Sequence, residues 1–263
     1  MGGCHSLVGR NDEALGAYRR AQALLERLVE AHPTSRSELA VVINNIGIIH
    51  AEEGRPGQAL ESFRRYRAIH EELVSADPTN AWFRQMLAYA HDNVGLTSLQ
   101  LARDGEALAA LRDGLAIHEA LALAYPGRDL YQQDLLRVHA LLASARAKMG
   151  RPGEALADLR EAERVEGRLP AIDADVLANL AGAYASLSAS SQMGAQPSPS
   201  PFDPVGRRAY ADRAMATLRR AVDAGHRNLG ALRSDPSLDS LRSRTDFQEL
   251  LRDLAFPDDP FAR

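Results

Sequence analysis

Gly54-Arg55-Pro56-Gly57-Gln58-Ala59-Leu60 is the stretch whose reading decides the fold, because it returns. Relatives of it stand at Gly9–Leu15 (GRNDEAL), Ala102–Leu108 (ARDGEAL) and Gly150–Leu156 (GRPGEAL), so their closing leucines are spaced by 45, 48 and 48 residues. A return at that period marks stacked units, each of which buries its apolar face only against neighbours. Such an array offers an extended binding surface in place of a catalytic pocket.

Working outward from the heptapeptide, apolar residues recur at three- and four-residue steps on its C-terminal side: Leu60, Phe63, Tyr66, Ile69, Leu73 and Val74. That is the stripe of an amphipathic helix. On its N-terminal side, residues 40–50 form a second apolar-rich stretch. Gly54 can end the first helix in a left-handed cap, and Pro56 suits the first turn of the next. Each unit therefore reads as helix–turn–helix, and no period-two strand pattern appears.

The sequence at this point resembles the tetratricopeptide (TPR) repeat family. That family's small, bulky and turn positions fall on Ile46, Gly47, Gly54, Ala59 and Phe63, with Tyr66 in the last small position. In the next unit they fall on Val94, Gly95, Ala107, Leu111 and Gly114, and then on Leu142, Ala143, Gly150, Ala155, Leu159 and Ala162. Small residues let paired helices approach while bulky ones fill the gap. The resemblance implies an all-α, TPR-like α-solenoid of antiparallel helix pairs. Because the period exceeds the 34 residues of a TPR, the helices are expected to be lengthened.

The ends depart from the pattern. Counting back from Leu15 places Met1 inside a first helix, so the first unit is expected to be incomplete. A later unit begins at Asn179-Leu180, and its second helix carries Met215, Leu218 and Ala221. Between them lies a Ser/Pro-rich run including Gln196-Pro197-Ser198-Pro199-Ser200-Pro201, a flexible-linker composition. The expected organisation is repeats over 1–187, a flexible insertion over 188–206, and a last repeat helix with capping helices over 207–263.

Composition narrows the function. Charged residues make up 25% and the formal net charge is −4, which argues against a nucleic-acid binder. The single cysteine, Cys4, allows no intrachain disulfide and fits a reducing compartment, so a cytoplasmic location in a bacterium is expected. No apolar run reaches membrane-span length, and no membrane partner is expected. Met1-Gly2-Gly3-Cys4-His5-Ser6 matches a myristoylation pattern, but these residues fall in register with a repeat helix. Lys148 is the only lysine.

Catalytic and metal patterns are missing from the sequence. His70-Glu71 and His118-Glu119 begin like HExxH, but Val74 and Ala122 replace the second histidine. Both histidines are expected on the helix surface. No nucleophile elbow, P-loop or Rossmann glycine pattern occurs, so no enzyme activity and no cofactor or metal is expected. The pairs Arg19-Arg20, Arg64-Arg65 and Arg219-Arg220 read as a solvated outer face.

The binding candidates lie on the first helix of each pair, which lines the concave side of TPR arrays. They are Asn44, Asn45 and Ile48, with Asp92, Asn93 and Leu96 as their counterparts; a third unit offers Ala140, Leu141 and Ser144. Carboxamides can hydrogen-bond an extended peptide while apolar neighbours accept its side chains. The asparagines can equally serve the adjacent helix. The expected function is a non-enzymatic protein–protein interaction module or scaffold that binds a peptide or helix in a concave groove. A homodimer through the unfinished N-terminal unit is a further expectation. A second reading stays open: the C-terminal segment Asp235–Leu250 resembles the TPR region of large planctomycete-type bacterial serine/threonine protein kinases. On that reading the chain is a detached regulatory or docking region without the catalytic domain.

Overall fold

The computed structural model describes residues 2–190 and 204–255, and every regular element among them is helical. In chain order these are α1 (Gly2–Ala31), α2 (Arg36–Glu52), α3 (Pro56–Ala76), α4 (Ala81–Gln100), α5 (Asp104–Ala124), α6 (Asp129–Lys148), α7 (Pro152–Glu166), α8 (Ala174–Ala189), α9 (Pro204–Asp223), α10 (Leu229–Ser234) and α11 (Thr245–Ala255). A 3-10 turn, Pro236–Leu241, lies between α10 and α11. The fold is all-α and TPR-like, with α3 through α6 lengthened to 20 or 21 residues each.

The turns explain why the heptapeptide governs register. Gly54 and Gly150 take φ of 69° and 70°, the left-handed region that glycine enters without cost. Around each, the same pair of bonds closes the preceding helix. Gly54 N–H donates to Ala51 O at 3.1 Å and Arg55 N–H to His50 O at 2.8 Å. Gly150 N–H donates to Ala147 O at 3.1 Å and Arg151 N–H to Arg146 O at 2.8 Å. This is the Schellman arrangement, which satisfies carbonyls that a helix end would otherwise orphan. Pro56 and Pro152 then open α3 and α7. The turn before α4 uses a side-chain cap instead: Asn80 accepts from the backbone N–H groups of Trp82 and Phe83 at 3.1 and 3.2 Å.

One heptapeptide behaves differently. Gly9–Leu15 is no turn, since α1 runs unbroken from Gly2 to Ala31. A break is stable only when the helix on each side can bury a face of its own. In this copy the backbone ladder continues through the heptapeptide and pairs its N–H and C=O groups within one helix.

Residues 1–121 and 122–263 form two compact units. In unit 1, α2 packs on α1 and α3, and α3 on α4. Leu39, Ala40, Ile43, Tyr66 and Ala90 form one part of its core, and Ala59, Leu60, Phe63, Val94 and Ala110 another. The small positions have a visible purpose. A Cβ added at Gly47 would stand 2.7 Å from the Phe63 ring, and one at Gly95 2.6 Å from Leu111 Cγ. In unit 2, α6 packs on α7 and α8, and α8 on α9. Its core runs from Leu136 and Leu159 through Leu180, Tyr184, Met215 and Leu218 to Leu238, Leu241 and Phe247. Most of the insertion expected at 188–206 lies outside the described residues. Of its ends, Ser188 and Ala189 still belong to α8, and α9 begins at Pro204.

Candidate functional site

The first-helix positions singled out by sequence part into two groups. Asn44 and Ile48 lie one turn apart on α2, with Val41 a turn before them; Val41 is 47% and Ile48 40% exposed. On α4, Asn93 and Leu96 share a strip, and Leu96 is 36% exposed. Asn93 Nδ2–H donates to Asn44 Oδ1 at 3.1 Å, tying the two helices together. What results is an open strip in unit 1, with a carboxamide pair flanked by exposed aliphatic side chains. Asn45 is half-buried, rotated about 100° around α2 from Asn44.

Asp92 does not belong to this strip. It is fully buried, and its Oδ2 meets His118 Nε2 of α5 at 3.0 Å. It corrects the expectation that the position matching Asn44 would face the same way. In the third unit, Ala140 and Leu141 are also buried. Only Ser144 is half-exposed there, and its Oγ is 2.8 Å from Ser186 Oγ of α8. Both units thus link successive first helices through small polar side chains, a carboxamide pair in one and a hydroxyl pair in the other.

The two histidines expected on the surface are inside. His118 is 1% exposed and belongs to the pair with Asp92. His70, on α3, is fully buried with its ring edge-on to Tyr66 and Trp82, at centroid separations of 4.7 and 5.9 Å. Burial among aromatic groups penalises the imidazolium and pushes His70 down to about 4. The same desolvation pushes the Tyr66 phenol up to about 12. Helical periodicity could have revealed both positions: His70 follows Phe63 by seven residues and Tyr66 by four, on the same buried stripe. The polar character of histidine masked it.

The pairs Arg64-Arg65 and Arg219-Arg220 are exposed and engaged by acids. Arg65 Nη2 lies 2.8 Å from Glu26, and Arg64 Nε donates to Glu106 at 3.1 Å. Arg220 Nη1 lies 2.7 Å from Glu166 and Arg219 Nη2 3.6 Å from Asp246. These contacts leave no uncompensated phosphate-binding stripe at those four residues. Among the described residues no cluster of three or more His, Cys, Asp or Glu could hold a metal ion, and no helix is long and apolar enough to cross a membrane.

No known family model matches the chain, and no match to a curated protein was found. Among solved structures, it is similar to BtubC (BKLC) from P. vanneervenii, with 13% identity over 96% of this chain and 95% of that one, and a TM-score of 0.48. It is also similar to TTC0263, a thermophilic TPR protein of Thermus thermophilus, with 18% identity over 94% and 95% of the chains and a TM-score of 0.42.

Proposed function

We propose that the chain is a non-enzymatic protein-interaction module that takes an extended peptide or a helix on the strip formed by α2 and α4. The observation that carries this reading is the Asn44–Asn93 pair between exposed Ile48 and Leu96. The bond between the carboxamides uses one donor and one acceptor. It leaves the Asn44 amide hydrogens and the Asn93 carbonyl for a backbone laid across them. The apolar neighbours on either side suit alternate side chains of such a ligand. The strip is uncharged, so selection rests on hydrogen bonding and shape. The turn that carries the heptapeptide serves only to space these helices.

The test is selection of binding peptides from a random library displayed on phage, followed by affinity measurement with N93R and I48E. Each substitution removes a group worth about 1.4 kcal/mol or more, so affinity should fall at least about tenfold. Equal affinity of both variants for the selected peptides would refute the assignment. Self-association is a second reading, favoured by Leu24 and Leu28, one turn apart on α1 and 66% and 42% exposed. Light scattering should then show mass rising with concentration in the parent chain and a constant monomer mass in L24E.

A further inference from the structure

In unit 2, the C-terminal end of α6, the C-terminal end of α8 and the 3-10 turn Pro236–Leu241 border a cleft of about 270 Å³. Lys148, Ser186, Ser190, Asp239 and Ser240 are among its lining residues. Most of these polar groups are already engaged. Ser186 is bonded to Ser144, Ser240 Oγ–H donates to Ala185 O at 2.8 Å, and Asp239 is held by Arg242 Nε at 2.7 Å. Ser190 is the exception: it is 7% exposed, and its Oγ has no hydrogen-bond partner. An unpaired buried hydroxyl costs about 1–3 kcal/mol, so such a group on a cleft wall is poised for a ligand atom. Lys148 keeps an open surface at the mouth of the same cleft.

We propose that Lys148 is an acyl-acceptor site, its ε-amine taking a small acyl group from an acyl phosphate or an acyl thioester while Ser190 Oγ–H donates to the acyl oxygen. The amine lone pair forms a C–N bond to the acyl carbon. The C–O bond to phosphate, or the C–S bond to thiolate, breaks with its electron pair on the leaving group. The proton lost by nitrogen passes to water, and no oxidation state changes. The Ser190 hydroxyl meets the carbonyl oxygen where negative charge develops in the attack. Asp235 and Asp239 are the charged groups facing Lys148, and they favour its ammonium form. Crowding at the end of α6 desolvates the ammonium and outweighs them, so Lys148 holds its proton less firmly than an ordinary lysine. A larger neutral fraction makes the better nucleophile.

Because Lys148 is the only lysine, a lysine-specific protease cuts the denatured chain once, and acylation abolishes that cut. The full chain is incubated at pH 7 with acetyl phosphate or with acetyl-CoA, then denatured and digested, and intact mass confirms the adduct. R128K supplies an exposed reference lysine in the same unit. Lys148 should be acylated faster than that reference lysine, because its desolvated ammonium gives up its proton more readily. S190A should slow Lys148 about tenfold, less than the loss of an enzymatic oxyanion donor, and leave the reference lysine unchanged. Since Ser190 Oγ makes no bond and its burial is a cost, S190A should melt no lower than the parent. Reaction with one donor alone identifies the acyl source. A rate no faster than that of the reference lysine, or S190A reacting like the parent, overturns the proposal.

Discussion

The third heptapeptide places an alanine where its two better-formed relatives place glycine, and Ala102→Gly should therefore stabilise the protein. Ala102 takes φ of 55°, against 69° at Gly54 and 70° at Gly150. The bonds around it match theirs: Ala102 N–H donates to Leu99 O at 3.1 Å and Arg103 N–H to Ser98 O at 2.8 Å. The cap is thus the same, and only the Cβ differs. A left-handed L-residue costs about 1–2 kcal/mol. Glycine returns about 0.4–1 kcal/mol of that through its freer unfolded chain. The expected net gain is roughly 0.5–1 kcal/mol. The reciprocal change isolates the same quantity, since a Cβ added at Gly54 would meet nothing within 4 Å. Gly54→Ala should therefore lose roughly 0.5–1 kcal/mol without any clash. Both positions lie in unit 1 with Trp82, the only tryptophan, so its fluorescence through guanidinium unfolding reads both variants. A midpoint that falls in A102G, or that holds steady in G54A, would refute the account of these turns.

Other expectations follow from the packed interior. Gly47→Ala drives a methyl to 2.7 Å from the Phe63 ring and should cost about 1–3 kcal/mol by thermal melting. Adding Phe63→Leu should recover most of it, because Ala143 and Leu159 occupy the equivalent positions two pairs further along. Asp92→Ala removes the buried hydrogen-bond partner of His118 Nε2 and should cost about 1–3 kcal/mol, so unchanged stability would sink the buried-pair reading. His70 makes stability pH-dependent. Its folded value of about 4 lies below the ordinary 6.5, so the unfolded chain binds more protons between them. Stability is full above about pH 6.5 and falls toward pH 4 by about 3 kcal/mol, at 1.36 kcal/mol per unit. His70→Phe should flatten that part of the pH profile in denaturant titrations.

Helix identity and pairing were legible because their signals are local. Gly54, Pro56 and Gly150 each act on the backbone within a few residues. The Gly47–Phe63 and Gly95–Leu111 complements were legible too, since the repeat displays them in series. Residues 9–15 misled because a cap-like string can also continue a helix, as it does within α1. The candidate site was harder to see. Asn44 and Asp92 hold equivalent places 48 residues apart, yet one reaches a neighbouring first helix and the other a buried histidine.

By itself, then, the sequence determined the helix–turn–helix unit, its lengthened period and the spacing of its small and bulky positions. Capping and 3.6-residue periodicity act within one turn and require no knowledge of neighbours. Only the tertiary structure decided which polar side chains stay open. Asn93 is available to pair with Asn44, whereas His118 draws Asp92 inward beside Gly114, where an added Cβ would come within 2.7 Å of the carboxylate. A side chain's direction around its own helix is set locally, but its partner is whichever group an adjacent helix brings within about 3 Å.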